Sequence, residues 1–197
     1  MGPVVQFWFE FASTYSYLSA MRIDRLASAK GVTVEWQPFL LGPIFADQGW
    51  NTSPFNLYPA KGRYMWRDMQ RLCATRNLPL SRPDPFPQNS IKAARLALAI
   101  ESMDQRAEFV RAVYRSEFGD GRDISDADVL HECLKTAKLP ADTLDRTQDP
   151  DIKNALFEQS AHAKEYGLFG APSFLAGEEL FWGDDRLEDA LNHATSL

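Results

Sequence analysis

Val4-Val5-Gln6-Phe7-Trp8-Phe9 is a run of branched and aromatic residues that is typical of a buried β-strand. Ser13, a favourable helix N-cap residue, follows it, and apolar residues then recur at helical spacing from Thr14 to about Ala29. Residues 32–36 alternate in the manner of a second strand. A crossover of this length predicts parallel pairing, so the chain is expected to open with a βαβ unit.

The C-terminal end of the chain predicts a second pair of strands. Residues 173–176 and 180–182 flank Gly177-Glu178-Glu179 in the pattern of an antiparallel hairpin, and a final helix is expected to open at 183–186. Residues 40–60 contain several Gly and Pro without a periodic pattern and are expected to form a long loop. Helical spacing predicts helices at about 61–76, 89–101, 105–118, 126–137 and 150–166. The order predicts an α/β fold in which both chain ends build one mixed sheet around an all-helical insertion.

The composition is that of a packed protein with an acidic balance. The 197 residues are 45% hydrophobic and carry 21 Lys+Arg against 27 Asp+Glu, which fits one domain, or one domain with a large insertion. A net charge of −6 without a basic run argues against nucleic acid or an anionic membrane surface as the partner. No apolar stretch approaches the ~20 residues of a membrane span, and no signal peptide is apparent, so we expect a cytoplasmic protein. Cys73 and Cys133 lack metal-ligand spacing and are expected to be buried hydrophobes.

Three short segments carry candidate functional residues. Ser13 would sit at a helix N-terminus, where unpaired N–H groups favour an anion, although a simple cap is the plainer interpretation. Pro172 directly precedes a strand and therefore needs a special position, such as an edge or a cis turn. Asp184 would be a natural N-cap for the last helix, and Asp185 beside it could accept hydrogen bonds from a ligand ammonium group.

These segments together resemble a known family. Ser13-Thr14-Tyr15-Ser16 is an S-x-x-S motif where thioredoxin-like proteins carry C-x-x-C, and G-x-P at 170–172 and W-G-D-D-R at 182–186 follow in the right order. The sequence resembles the 2-hydroxychromene-2-carboxylate isomerase family, which is similar to kappa-class glutathione transferases. The resemblance implies the DsbA-like thioredoxin fold, with a thioredoxin-like domain at 1–62 and 167–197 and a helical insertion at 63–166. Further matches lie at 50–51, 61–64, 86–90 and 169–172.

The resemblance also implies glutathione as cofactor and assigns residues to it. Ser13 would hydrogen-bond the glutathione sulfur, and Asn51 would lie near the thiol and the substrate. Ala171, before the family's cis-proline Pro172, would pair its backbone with the cysteinyl unit. Asp184 and Asp185 would hold the γ-glutamyl end. Lys61 would meet the carboxylate of a small aromatic substrate, with Arg63 or Arg67 as alternates.

Two departures from the family pattern bear on glutathione affinity. Thr14 stands where proline is common, and Asp184 stands where serine, asparagine or glutamine is common. A second carboxylate near the γ-glutamyl carboxylate is expected to weaken binding.

Several activities remain to be compared. The leading hypothesis is a glutathione-dependent isomerase of aromatic catabolism that converts 2-hydroxychromene-2-carboxylate to trans-o-hydroxybenzylidenepyruvate, acting as a homodimer. A kappa-like transferase that conjugates electrophiles is a close second. A disulfide oxidoreductase would need a thiol at position 13, where Ser13 cannot form a mixed disulfide. A binding module that kept the fold without catalysis is a fourth possibility.

Overall fold

The four strands form one mixed sheet in the order β2-β1-β3-β4 in a computed structural model that describes residues 2–197. β1 (Val4–Phe9) pairs in parallel with β2 (Thr33–Pro38), so that Phe7 lies opposite Trp36. β1 also pairs antiparallel with β3 (Ser173–Ala176), which forms the hairpin with β4 (Glu179–Trp182). The predicted α/β fold is therefore confirmed, with both chain ends contributing to one sheet.

Helices account for most of the remaining chain. A π-helical turn at Arg115–Gly119 continues α7, and 3-10 turns lie at Ala141–Gln148 and Asp184–Arg186. The α-helices are α1 (Thr14–Ala20), α2 (Ile23–Ser28), α3 (Leu41–Asp47), α4 (Pro54–Leu57), α5 (Pro59–Arg76), α6 (Ile91–Ala99), α7 (Met103–Tyr114), α8 (Ala127–Thr136), α9 (Pro150–Glu165) and α10 (Leu187–Ala194).

Two predictions of local structure are wrong. The single helix expected from Thr14 to about Ala29 is two helices, because the backbone leaves helical geometry at Arg22 (φ −131°), whose side chain turns toward Asp184. The loop expected over 40–60 contains α3 and α4. Pro43 lies in the first turn of α3 and Pro54 begins α4, positions at which a missing N–H costs no intrahelical hydrogen bond. Both helices are too short to show a periodic pattern.

The sheet and the helical region share one hydrophobic core. The Phe7 ring stacks on Phe174 at 5.4 Å between centroids and meets Trp36 edge-on at 5.0 Å. Phe9 lies edge-on to Tyr114 of α7 at 6.2 Å, which joins the sheet to the helices. The domain boundary expected between residues 62 and 63 falls inside α5, so this helix begins at the sheet domain and continues into the helical region.

Both cysteines are buried and unpaired. Burial raises the pKa of the Cys73 thiol to about 11 and also raises that of Cys133. These thiols therefore have little thiolate at neutral pH and behave as the small hydrophobes that the sequence predicts.

Over the described part of the chain, no helix has both the length and the apolar character that crossing a bilayer requires.

Candidate active site

A cavity of about 1250 Å³ opens beside the N-terminus of α1. Its wall is formed by the 40–55 segment, one face of α5, and the turns before β3 and after β4. The structure brings seven of the eight candidate residues to this wall, namely Ser13, Asn51, Lys61, Ala171, Pro172, Asp184 and Asp185. Arg63 is exposed and is not among the described residues that line the cavity, and the alternate Arg67 is not among them either.

Ser13 is the N-cap of α1. Its backbone is extended (φ −96°, ψ 114°), and its Oγ accepts a hydrogen bond from the N–H of Ser16 at 3.2 Å. The same hydroxyl donates to the carbonyl oxygen of Ala171 at 2.9 Å. A hydroxyl group therefore lies at the positive end of a helix and in direct contact with the turn that precedes β3.

The turn before β3 contains a cis peptide bond between Ala171 and Pro172, which the sequence alone did not decide. The carbonyl oxygen of Pro172 accepts a hydrogen bond from the N–H of Gly183 at 2.9 Å, and this bond ties the turn to the segment after β4. Gly170 is packed against the indole of Trp182, where an added Cβ would lie 3.1 Å from Cε2. The turn therefore holds Ala171 in the cavity wall without room for a larger residue before it.

Asp184 does not cap the final helix, so this prediction is wrong. Its side chain is 5% exposed, and its Oδ1 accepts from Ser19 Oγ at 2.9 Å and from Arg22 Nε at 3.3 Å. Its Oδ2 accepts from Arg76 Nη2 at 2.6 Å. Two guanidinium groups, neither of them near Asp184 in sequence, draw this carboxylate inward, away from the helix end.

Asp185 has a different environment from its neighbour. Its side chain is 75% exposed, and Oδ2 lies 3.2 Å from Arg186 Nη2. Gly183 before the pair has φ 108°, a conformation that side chains rarely adopt, and an added Cβ would lie 2.6 Å from Asp185 Oδ1. The turn thus directs one carboxylate into the protein and leaves the next at the cavity surface.

The cavity contains charged residues that the sequence analysis did not identify. Lys61, Asp68, Leu72 and Arg76 line it from α5, and their spacing of seven, four and four places them on one helical face. That spacing is the signal that could have found Asp68 and Arg76. The hydroxyl of Tyr15, two residues after Ser13, donates to Asp68 Oδ2 at 3.0 Å.

Glu10 is a buried carboxyl group in the same wall. It is 5% exposed, and its Oε2 accepts from the N–H of Leu41 at 3.0 Å, which holds the beginning of α3. Burial raises the pKa of Glu10, while the hydrogen bonds from Ser90 and from backbone N–H groups oppose that shift. A charged residue within Trp8-Phe9-Glu10-Phe11-Ala12 was the available signal for this residue.

Aromatic rings provide much of the apolar surface at the cavity rim. The rings of Phe169 and Trp182 lie 4.9 Å apart, and both side chains are about half exposed, at 47% and 52%. Phe45 and Trp50 form a second pair at 5.6 Å. An apolar wall with a few polar groups at its base is the usual make-up of a small-molecule site.

The charges of the cavity are mixed. Among the described residues, Lys61 and Arg76 are its basic side chains, and Glu10, Asp68, Asp184 and Asp185 are acidic. Residues 2–197 include no group of three or more His, Cys, Asp or Glu side chains that could hold a metal ion. Two basic side chains and one exposed aspartate, Asp185, therefore face the cavity.

The fold and the cis-proline turn facing a helix N-terminus define a thioredoxin-like protein of the DsbA type. A family model described as "DSBA-like thioredoxin domain" matches residues 4–194. A 2-hydroxychromene-2-carboxylate isomerase from Sphingobium xenophagum is 31% identical over 191 residues, which cover 95% of this chain and 96% of the relative. The chain therefore belongs to the DsbA-like thioredoxin family and, within it, to the 2-hydroxychromene-2-carboxylate isomerase family.

Two further comparisons agree with this assignment. Glutathione S-transferase kappa 1 from Homo sapiens is 26% identical over 206 residues, covering 95% of this chain and 90% of the relative. A solved structure of a 2-hydroxychromene-2-carboxylate isomerase superposes with a TM-score of 0.86 at 25% identity, covering 96% of this chain and 94% of that one. The relatives are isomerases and transferases, so the chain is a member of a family of enzymes.

Proposed function

We propose that the protein is a glutathione-dependent isomerase that converts 2-hydroxychromene-2-carboxylate, or a related intermediate of aromatic catabolism, to trans-o-hydroxybenzylidenepyruvate. The observation that carries this proposal is the position of Ser13. Its hydroxyl lies at the N-terminus of α1, in the cavity wall and in hydrogen-bonding contact with Ala171. A serine here cannot supply a thiol, so the reactive sulfur would come from the cofactor.

The helix N-terminus favours the thiolate form of bound glutathione. Unpaired N–H groups and the helix dipole lower the pKa of a thiol placed there, as they do for cysteines at such sites. The backbone of Ala171 would pair with the cysteinyl unit of glutathione, as an added strand would. The Ser13 hydroxyl, which donates to the carbonyl oxygen of Ala171 in the structure, would then donate to the sulfur instead.

Bound glutathione would supply a thiolate for reversible conjugate addition to the ring-opened substrate, a chemistry that permits rotation about the former double bond and returns the thiolate unchanged. Ser13 would hold the sulfur through its hydroxyl, and the N–H groups at the beginning of α1 would stabilise the negative charge on it.

Residues of the cavity would position the substrate for this sequence. Lys61 lines the cavity and offers an ammonium group to the pyruvate carboxylate. Phe169 and Trp182 offer their rings to the aromatic part of the substrate. Arg63 lies outside the described lining, so we assign the substrate carboxylate to Lys61 alone.

A kappa-like glutathione transferase is the second candidate. It is favoured by the 26% identity to the human kappa transferase over most of both chains. The two activities differ in the fate of the thioether, because a transferase releases the adduct whereas an isomerase eliminates the thiolate.

An assay of the chromene carboxylate with and without glutathione, run beside a conjugation assay with a generic electrophile, tests the proposal. We expect isomerisation only in the presence of catalytic glutathione, without its consumption. Stoichiometric loss of glutathione with accumulation of a thioether would favour the transferase instead. A folded protein with neither activity would favour a binding module.

We also propose that the active protein is a homodimer, as the resemblance implies. Light scattering coupled to size exclusion tests this directly, and a monomeric mass at working concentration would contradict it.

A further inference from the structure

We infer that Arg76 binds the α-carboxylate of the γ-glutamyl unit of glutathione, and that Asp184 is the counter-ion that positions Arg76. The resemblance assigns Asp184 to the ligand itself, and the geometry points to a different division of roles. This inference rests on the proposed use of glutathione and concerns which side chain recognises one of its ends.

Asp184 is already engaged by protein donors. Ser19 and Arg22 donate to Oδ1, and Arg76 donates to Oδ2. With 5% exposure and three donors, the side chain keeps little capacity for a ligand ammonium. The two guanidinium groups also offset its negative charge, so the added carboxylate does not by itself repel an anionic ligand.

Arg76 has donors that the protein does not use. Its Nη2 is held by Asp184 at 2.6 Å, whereas its buried Nη1 has no hydrogen-bond partner among the described residues. Arg76 lines the cavity at the C-terminal end of α5. A guanidinium fixed at one nitrogen, with a second nitrogen unpaired, is prepared to donate to an anionic oxygen because unpaired buried donors are costly.

The two basic side chains of the cavity cannot share one carboxylate. Lys61 and Arg76 are fifteen residues apart on α5, about 22 Å along the helix axis. Of these two, Arg76 is the side chain next to the segment 183–185, where it contacts Asp184, and Lys61 lies at the opposite end of the helix.

Asp185 supplies the complementary charge for an amino-acid group. It is 75% exposed, lines the same cavity, and follows Asp184 directly. A ligand end with a carboxylate and an ammonium group on one carbon is complementary in charge to Arg76 and Asp185, with the carboxylate on Arg76 and the ammonium on Asp185. The proposed substrate has a carboxylate but no ammonium group, and this favours the γ-glutamyl unit as the occupant.

Binding measurements with three thiol ligands test the assignment. The ligands are glutathione, an analogue without the γ-glutamyl carboxylate (4-aminobutanoyl-Cys-Gly) and an analogue without the amine (glutaryl-Cys-Gly). The dissociation constants are measured by calorimetry for the wild type, Arg76→Met and Asp185→Asn. Arg71→Met, an exposed arginine of the same helix outside the cavity, is the matched control.

We expect the wild type to bind the decarboxylated analogue about 10- to 100-fold more weakly than glutathione, the scale of a charge-assisted hydrogen bond. Arg76→Met should bind glutathione more weakly by a similar factor, and its dissociation constants for glutathione and the decarboxylated analogue should be equal. Asp185→Asn should lose only the discrimination against the deaminated analogue, and Arg71→Met should match the wild type. If Arg76→Met leaves the glutathione affinity unchanged and steady-state kinetics show a raised KM for the chromene carboxylate, Arg76 serves the substrate carboxylate and the inference is overturned.

If folded Arg76→Met still binds glutathione more tightly than the decarboxylated analogue, the role of Arg76 is also overturned. The proposed function would remain intact in that case, as long as the wild type binds glutathione. Absence of glutathione binding by the wild type would contradict both. If Arg76→Met fails to fold, the double variant Arg76→Met/Asp184→Asn removes both charges of the pair and gives the same readout. Preserved discrimination in the double variant would count against the inference in the same way.

Discussion

The hydroxyl of Ser13 donates a hydrogen bond to the carbonyl oxygen of Ala171 across 2.9 Å. The two residues are 158 positions apart, and their contact joins the beginning of α1 to the cis-proline turn before β3. A helix N-terminus and the backbone of the cis-proline turn thus face one cavity. This juxtaposition is the basis of the proposed thiolate chemistry.

Ser13→Ala is expected to lower kcat/KM for isomerisation by about 10- to 1000-fold, the scale of losing a hydrogen bond to the reacting group. Loss of the cap should cost about 1 kcal/mol of stability, too little to unfold the protein. Ser102→Ala removes the N-cap bond of α7 to Gln105 far from the cavity and is the control. Equal activity in the two variants would refute a role for Ser13.

Lys61→Met is expected to raise the KM for the chromene carboxylate by about tenfold, since it removes a charged hydrogen-bond donor. Arg63→Met should leave the KM unchanged, because Arg63 lies on the same helix but is not among the residues that line the cavity. Steady-state kinetics at saturating glutathione measure both values. If Arg63→Met has the larger effect, the assignment of the substrate carboxylate is wrong.

Trp182→Ala is expected to raise the KM for the aromatic substrate by about tenfold, because it removes one ring of the Phe169–Trp182 pair at the cavity rim. Glutathione affinity should change by less than the substrate KM. Phe157→Ala, which removes a ring that is 77% exposed on α9, serves as control. A KM unaffected by Trp182→Ala would place the aromatic ring of the substrate elsewhere.

Glu117→Gln is expected to stabilise the protein at neutral pH. Glu117 is completely buried in the π-helical turn, and neither carboxyl oxygen has a hydrogen-bond partner among the described residues. Burial raises the pKa of Glu117 well above its ordinary value, and the nearby charges of Glu10 and Asp123 raise it further. The folded state therefore keeps a proton that the unfolded state has lost.

The sign of the pH dependence follows from this difference in bound protons. The stability associated with protonated Glu117 is fully present below the ordinary carboxyl pKa and decreases as the pH rises toward the raised folded value. The free energy of unfolding, measured with denaturant at pH 5 and pH 8, roughly either side of neutrality, should decrease with pH less for Glu117→Gln than for the wild type. Glu158→Gln, an exposed glutamate of α9, should behave like the wild type. Identical pH profiles would contradict the account of Glu117.

The sheet could be predicted from the sequence because its signals are local. The branched and aromatic residues of β1 and the Gly-containing turn of the β3–β4 hairpin determine these strands over a few positions. The resemblance brought Ser13, Pro172 and Asp185 to one place. Their convergence depends on a motif pattern that spans the chain, and no single segment could establish it.

The roles of Asp184 and Arg76 could not be predicted in the same way. Asp184 is an ordinary cap candidate until Arg22 and Arg76, 162 and 108 residues away, are placed around it. Glu117 likewise shows nothing unusual in a helical pattern until its surroundings exclude water. Ion pairing and burial are properties of the assembled fold, and sequence spacing contains little information about them.

Ultraviolet titration of the thiolate of bound glutathione tests the central claim most directly. We predict that the thiol of glutathione bound to the wild type ionises below its pKa in free solution, with substantial thiolate at neutral pH. Ser13→Ala should raise that pKa toward the free value while the ligand remains bound. A bound thiol that titrates like free glutathione in the wild type would contradict the claim that this site activates a sulfur.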